Sequence, residues 1–196
     1  HLNVDAWLLW GGSWGATRAL LYAEAHPERS LGLVLRGTFL ARRRDLDWLL
    51  LDGANRFFPD AWARLIEPLP EAERDDPLTA YHHRLLLRAG PDAETWARHW
   101  NDWEAACSTL VPPEPDSAPG SLALAQIECH YFHNENFLPE NTVVDHLDRI
   151  RHLPAILVHG RYDMVCPPAQ SARLAEHWPG AELRLIEQAG HSAREP

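Results

Sequence analysis

One serine has the surroundings that nucleophilic chemistry requires. Ser13 stands in the run Gly11-Gly12-Ser13-Trp14-Gly15, after an apolar stretch from Val4 to Trp10. A helix-like stretch, Ala16 to Ala25, follows it. This order predicts a strand, a very sharp turn with Ser13 at its apex, and a helix. A glycine-rich turn whose serine only caps the helix would look similar, but the flanking strand and helix favour a nucleophile.

The predicted turn would activate the serine through its backbone geometry. We expect side chains at Gly11 or Gly15 to collide across the turn, which explains both glycines. The strained backbone of Ser13 would lift its hydroxyl above the sheet. The N–H of Trp14 and the start of the helix would then point at the negative charge that forms when the serine attacks a carbonyl.

A serine hydroxyl needs a base to take its proton, and the base needs an anion to orient it. Asp163 follows the strand-like run Pro154–Gly160, and His191 follows the last such run, Glu182–Ile186. Each alone could be a solvated loop residue, but the order Ser, Asp, His with each at a strand end favours a catalytic triad. We interpret the other histidines as surface or core polar groups. The cluster from Cys129 to His133 lacks matching ligands elsewhere, so no metal site is predicted.

Composition and charge exclude several classes of function. The chain has 196 residues, 45% of them hydrophobic, and a formal net charge of −10. The negative charge argues against a nucleic-acid partner, and no apolar run is long enough to span a membrane. Three widely spaced cysteines, an odd number, suggest reduced thiols and a cytoplasmic location.

The chain divides into sheet-like and helical segments. Val and Ile nearly vanish between Phe39 and about Asn141, where Trp, Ala, Leu, Arg and Glu predict about five helices. Residues 145–151 and 167–178 also predict helices, and Val111 to Gly120 reads as a loop. We therefore predict an α/β fold with a mostly parallel sheet. Its core would comprise 1–38 and 141–196, with an all-α insertion over 39–140.

Several segments together closely resemble the prolyl aminopeptidases, also called proline iminopeptidases. They cover core and insertion alike: Gly11-Gly12-Ser13-Trp14-Gly15, His26-Pro27-Glu28-Arg29, Leu35-Arg36-Gly37-Thr38-Phe39, Trp100-Asn101-Asp102-Trp103-Glu104, Ile127-Glu128-Cys129-His130-Tyr131-Phe132 and Gly160-Arg161-Tyr162-Asp163-Met164-Val165-Cys166-Pro167. The resemblance implies an α/β-hydrolase with a helical cap. It implies hydrolysis of small peptides that begin with proline, with no cofactor.

The resemblance also implies roles for individual residues. Ser13, Asp163 and His191 would form the triad, with Trp14 contributing to the oxyanion hole. Glu104 and Glu128 would hold the free amino group of the substrate, which needs anionic partners when it is buried. On the sequence alone, either glutamate could instead lie on a solvated helix face.

Four further residues match family positions near the substrate. Phe39, Phe132 and Cys166 would line the pocket for the proline ring, although core packing explains each equally well. Arg36 would contact the peptide beyond the proline or pair with an acid of the cap.

The chain begins at His1, close to the predicted nucleophile, so we expect it to be a fragment that lacks the first strands of the core. The resemblance implies an upstream HGGPG-type loop with a second oxyanion donor. Losing one such donor costs roughly a hundred- to a thousandfold in rate. Two alternatives therefore stay open. One is an esterase or an aminopeptidase of broader specificity, and the other is a domain that binds peptides without cleaving them.

Overall fold

The computed structural model describes residues 3–88, 90–115 and 120–195. Residues 116–119, within the predicted loop from Val111 to Gly120, lie outside this part of the chain, as do residues 1, 2, 89 and 196. The chain forms two compact units. The sheet unit comprises His1–Ala41 and Pro139–Pro196, and the helical unit comprises Arg42–Leu138.

The sheet unit contains four strands, all parallel. They are β1 Trp7–Gly12, β2 Ser30–Arg36, β3 Ala155–Gly160 and β4 Ala181–Ile186, and they lie side by side in that order. Because the strands run in one direction, the segments that leave their carboxyl ends begin at one edge of the sheet. The predicted parallel sheet is confirmed.

Eight α-helices lie within the described residues. They are α1 Trp14–Ala25, α2 Arg43–Leu50, α3 Pro59–Ile66, α4 Pro77–His82, α5 Ala93–Ser108, α6 Leu122–His133, α7 Thr142–Asp145 and α8 Ala169–His177. A π-helical turn, His83–Leu87, extends α4. No described helix has the length and apolar character that a bilayer crossing demands.

The strands and helices of the sheet unit share one apolar core. Leu33 and Leu35 of β2 and Leu157 of β3 are 1%, 0% and 0% exposed, and they pack with Leu20 of α1 and Trp178. β1 is different, because Leu8 and Trp10 are 66% and 73% exposed. Residues on a strand alternate between its two faces, so the face of β1 that carries Leu8 and Trp10 is apolar and exposed.

One predicted helix of the sheet unit was wrong in its bounds. The expected helix over 145–151 is instead the short α7 followed by a 3₁₀ turn, Leu147–Arg149. Val143, Leu147 and Ile150 are nearly or fully buried in the core. Core packing of these residues, rather than helix propensity, therefore decides the path of this segment.

The helical unit is organised around buried aromatic side chains. Tyr81 is fully buried, its hydroxyl donates to the carbonyl of Leu65 over 2.8 Å, and its ring meets that of Trp100 at 5.6 Å. Trp103 is also buried, and its indole N–H donates to the carbonyl of Leu49 over 3.2 Å. Because these buried phenol and indole groups have hydrogen-bond partners, a segment rich in tryptophan can be buried without leaving those polar atoms unsatisfied.

Candidate active site

Ser13 lies at the apex of the turn between β1 and α1, in a strained conformation. Its φ is 56° and its ψ is −125°, a region that residues other than glycine rarely adopt. Two hydrogen bonds hold it there. Its N–H donates to the carbonyl of Arg36 over 2.9 Å, and its carbonyl accepts from Ala16 over 2.9 Å. The backbone therefore presents the serine at the carboxyl end of β1, as the strand–turn–helix pattern predicts.

The two glycines of the turn differ in what they allow. A Cβ at Gly11 would lie 2.2 Å from the carbonyl oxygen of Gly15, so no other residue fits there. A Cβ at Gly15 would meet no atom within 4 Å. The expected collision is confirmed at Gly11 and was wrong at Gly15, because the side of α1 that Gly15 faces is open.

Asp163 and His191 are hydrogen-bonded to each other. His191 Nδ1 lies 2.7 Å from Asp163 Oδ2, and because a carboxylate only accepts, Nδ1 carries the hydrogen. The other oxygen, Oδ1, accepts from the backbone N–H groups of Val165, at 3.1 Å, and Cys166, at 2.8 Å. Asp163 is 1% exposed and His191 is 7% exposed. The imidazole is thus fixed with Nε2 as its remaining proton acceptor.

The charge state of Asp163 follows from these donors. Burial by itself would raise the pKa of this carboxyl group. Hydrogen bonds from His159 and His191 outweigh burial and lower the pKa to about 2. Asp163 is therefore ionised at neutral pH even though almost none of it touches water.

Arg36, the last residue of β2, contacts both the serine turn and His191, and Gly37 contacts the His191–Asp163 pair. The Arg36 guanidinium fills the space beside Gly12, where an added Cβ would lie 2.7 Å from Nη2, and its Nη1 donates to the carbonyl of His191. Gly37 has a φ of 52°, and a Cβ there would lie 3.2 Å from the His191 ring and 3.3 Å from Asp163 Oδ2. Gly37 thus packs directly against the pair.

Two of the predicted pocket residues lie in the same unit and are nearly fully buried. Phe39 is 6% exposed, its ring lies 6.2 Å from that of Trp14, and its carbonyl accepts from Thr17 over 2.6 Å. Cys166 is 2% exposed, and its backbone N–H donates to Asp163. Cys166 therefore contacts the acid through its backbone.

Glu104 and Glu128, both in the helical unit, are hydrogen-bonded to each other. Glu104 lies on α5 and Glu128 on α6, and the indole N–H of Trp100 donates to Glu128 Oε2 over 3.1 Å. Burial raises the pKa of Glu104 well above its usual range, and the neighbouring Glu128 carboxyl raises it further. The raised pKa means that the two neighbouring carboxyl groups resist ionising together. Phe132, also on α6, has its ring 6.3 Å from that of Trp100.

The three cysteines are buried, and none of them forms a disulfide. Burial raises the pKa of Cys129 to about 12, so its thiol is protonated at neutral pH. Across residues 3–88, 90–115 and 120–195, no group of three or more His, Cys, Asp or Glu side chains is arranged to hold a metal ion.

Two contacts with these acids were not predicted from the sequence. His159 is fully buried, with Nε2 at 3.2 Å from Asp163 Oδ2, and Trp100 donates to Glu128 as described above. The signal for His159 was its position, because it is the last residue but one of β3, at the edge where parallel sheets hold their ligands. Nothing in the sequence distinguishes Trp100 from the other tryptophans of its helix.

Comparison with known proteins identifies the family of this chain. The sequence model described as alpha/beta hydrolase fold matches residues 1–195. The chain belongs to the α/β-hydrolase fold family. Among α/β-hydrolases of known structure it resembles one from Bacillus anthracis str. Sterne, with a TM-score of 0.57 and 18% identity over 97% of this chain and 62% of that one. An α/β-hydrolase from a Medee basin deep-sea metagenome library has a TM-score of 0.51 and 18% identity over 97% and 60%. These likenesses concern the fold alone.

Curated relatives are more similar in sequence and agree in name. A probable proline iminopeptidase from Leptolyngbya boryana is 44% identical over the whole of this chain and 63% of its own length. Proline iminopeptidases from Arabidopsis thaliana and Neisseria meningitidis serogroup B are each 42% identical, over 53% and 64% of their own lengths. The resemblance to proline iminopeptidases is thus confirmed, and the chain spans less than two thirds of the length of these relatives.

Proposed function

We propose that the protein is a serine exopeptidase that releases N-terminal proline from peptides. The observation that carries the proposal is the hydrogen bond of 2.7 Å between His191 and Asp163, at the sheet edge where β1 ends in the strained turn of Ser13. The names of the curated relatives support proline as the residue released. The alpha/beta hydrolase match supports acyl-transfer chemistry.

In the proposed reaction, Ser13 is first acylated by the substrate and the acyl-enzyme is then hydrolysed. His191 Nε2 takes the hydroxyl proton of Ser13 as its oxygen attacks the carbonyl carbon of the first residue. The Trp14 N–H stabilises the oxyanion, and His191 passes the proton to the leaving amine. Asp163 keeps the imidazole in the tautomer with its hydrogen on Nδ1 throughout. Water, activated by the same histidine, then releases proline from the acyl-enzyme.

The acid pair of the helical unit would select the substrate. In the proposed role, Glu104 and Glu128 bind the ammonium group that only a free N-terminus carries. The raised pKa of Glu104 supports this role, because an incoming cation lets both carboxylates ionise and gains two charge-assisted contacts. A neutral substrate offers no such compensation, so the pair would discriminate against blocked peptides.

Glutamine substitutions at the acid pair test the proposal. Glu104→Gln or Glu128→Gln should reduce hydrolysis of prolyl-naphthylamide by about tenfold or more, the usual cost of a charge-assisted contact. Hydrolysis of a simple acetate ester, which has no amine, should change far less. Glu94→Gln is the matched control, since Glu94 is exposed on the same helix as Glu104. Equal losses on both substrates would refute the amine-binding role.

Two further measurements separate the proposal from its alternatives. Relative rates on prolyl, alanyl and acetyl substrates distinguish a proline exopeptidase from an esterase or a general aminopeptidase. Labelling of Ser13 by a fluorophosphonate distinguishes an enzyme from a domain that only binds peptides, because the label reports an activated serine. An unlabelled Ser13 in folded protein would refute the hydrolase.

A further inference from the structure

A buried histidine outside the proposed triad contacts the triad acid. His159, on β3, is fully buried, and its Nε2 lies 2.7 Å from the carbonyl oxygen of Cys166 and 3.2 Å from Asp163 Oδ2. On the other side of the ring, Nδ1 lies 2.7 Å from the hydroxyl of Ser171 on α8. That hydroxyl lies 2.9 Å from Thr38 Oγ1, after the end of β2. A chain of polar contacts therefore runs from β2 through α8 to the acid.

The hydrogen on Nε2 can be assigned from its neighbours. The carbonyl of Cys166 and the carboxylate of Asp163 can only accept, so Nε2 must donate. Nδ1 faces a hydroxyl, which can either donate or accept. The Nε2 hydrogen is present in either case and is shared between the Cys166 carbonyl and Asp163 Oδ2.

Asp163 is thus fixed from several directions. Oδ1 accepts from the backbone of Val165 and Cys166, and Oδ2 accepts from His191 and lies 3.2 Å from His159 Nε2. The backbone donors hold Oδ1, but a carboxylate held at one oxygen can still tilt and move Oδ2 out of line with His191. The His159 ring, held at both nitrogens, blocks that movement.

We propose that His159 is a positioning residue that holds the Asp163 carboxylate in the orientation His191 requires. The inference rests on the proposed hydrolase function. The groups that face the His159 ring are Asp163 and the Cys166 carbonyl from the loop after β3, the neutral hydroxyl of Ser171 from α8 and, through the carboxylate, His191. Ser171 is in turn held by Thr38.

The proposal predicts a change that a merely structural residue would not produce. Removing the His159 donor leaves the charge on Oδ2 less compensated, so the His191–Asp163 pair binds a proton at higher pH. The acidic limb of the pH–rate profile should therefore move to higher pH by about one unit, the effect of one hydrogen bond to a charged group. The value of kcat should fall about ten- to a hundredfold through misalignment, with little change in KM.

The experiment compares two substitutions of His159. His159→Phe keeps the ring volume and removes both nitrogens, whereas His159→Gln keeps an N–H donor near the position of Nε2. The pH dependence is measured on prolyl-naphthylamide hydrolysis, on fluorophosphonate labelling of Ser13 and on the ¹H NMR signal of the His191 ring. We expect the shift and the loss in His159→Phe and their substantial rescue in His159→Gln. A folded His159→Phe with an unmoved acidic limb, or a His159→Gln variant as impaired as His159→Phe, would overturn the proposal.

A second pair of variants covers the case in which His159→Phe does not fold. Ser171→Ala removes the hydroxyl that contacts Nδ1 and Thr38, keeps the His159 ring, and should move the acidic limb in the same direction by a smaller amount. Ser30→Ala is its matched control, because Ser30 is also buried and loses one hydroxyl contact, to the carbonyl of His26, at the amino end of β2. Identical pH profiles for the two variants would contradict the inference. The NMR titration needs no substrate, so it can succeed even if the protein does not cleave prolyl peptides.

Discussion

Replacing Asp163 by asparagine would put a donor opposite two imidazole nitrogens that already carry hydrogens, while keeping the shape of the side chain. The amide oxygen of Asp163→Asn must remain at Oδ1, because the N–H groups of Val165 and Cys166 donate to that position. The amide NH₂ group then replaces Oδ2 and faces His191 Nδ1 and His159 Nε2. Both of these nitrogens are donors in the native protein, so a donor would meet a donor twice.

The cost to activity follows from the tautomer of His191. To accept from the new amide, Nδ1 must lose its hydrogen, which moves to Nε2. Nε2 can then no longer take the proton of Ser13. In serine hydrolases this substitution costs about 10⁴-fold in kcat, or about 5 kcal/mol in activation free energy. We expect a loss of that order.

The same substitution should change stability with a defined dependence on pH. The pKa of Asp163 is lowered from 3.8 to about 2 in the folded protein. An acid with a lowered folded pKa stabilises the fold above its ordinary pKa, so the wild type should gain about 2 kcal/mol at neutral pH. This advantage over Asp163→Asn should be lost as the pH falls from about 4 through about 2.

The assay is hydrolysis of prolyl-naphthylamide over a range of pH, combined with urea unfolding of both proteins. Asp52→Asn is the matched control, because Asp52 is exposed on the surface and pairs with Arg56. It should keep wild-type activity, since exposed ion pairs contribute little. A folded Asp163→Asn variant that retained activity within about tenfold of the wild type would refute the proposed role of Asp163.

Two other substitutions test the surroundings of the site and the core. Gly37→Ala places a methyl group 3.2 Å from the His191 ring at a φ of 52°, so we expect about 1 kcal/mol of backbone strain and about a tenfold loss of kcat. Lower stability with unchanged kcat would mean that the His191 ring can shift without affecting catalysis. Glu24 is 4% exposed, and burial raises its pKa from 4.5 to about 8 despite the opposing effect of Arg149. A raised acid pKa means that stability falls as the pH rises through that interval, by about 5 kcal/mol, so Glu24→Gln should be the more stable protein at pH ~9 and show a flatter profile in urea unfolding. Parallel profiles would contradict the burial argument.

The elements around the candidate site could be predicted because local patterns specify them. The runs that end at Trp10, Leu35 and Gly160 are apolar stretches, and the run that ends at Ile186 alternates charged and apolar residues; each forms a strand. The turn at Ser13 could be predicted for a steric reason, since only glycine fits at Gly11. Where a pattern reflects local sterics or periodic burial, the sequence alone is informative.

Other features depend on groups far apart in the chain. The segment over 145–151 breaks into two short pieces because Val143, Leu147 and Ile150 reach a core formed by distant strands. Gly15 was expected to avoid a collision, yet the space beside it is open. His159 was grouped with the other histidines, because its contact with Ser171 appears only once α8 packs beside β3. No local pattern contains these relations.

The protonation states of the acids show why sequence predicts the candidates better than their roles. Asp163 is buried and Glu104 is partly buried, and burial alone would raise both pKa values. At Asp163, two imidazoles donate to the carboxylate, and their effect exceeds that of burial, so the acid is ionised. At Glu104, the neighbour is a second carboxyl group, whose effect adds to that of burial, so the pKa is raised well above its usual range. The difference lies wholly in the partners that the fold supplies. It fits the proposed roles, an orienting anion at Asp163 and a binding site for a cationic substrate group at Glu104.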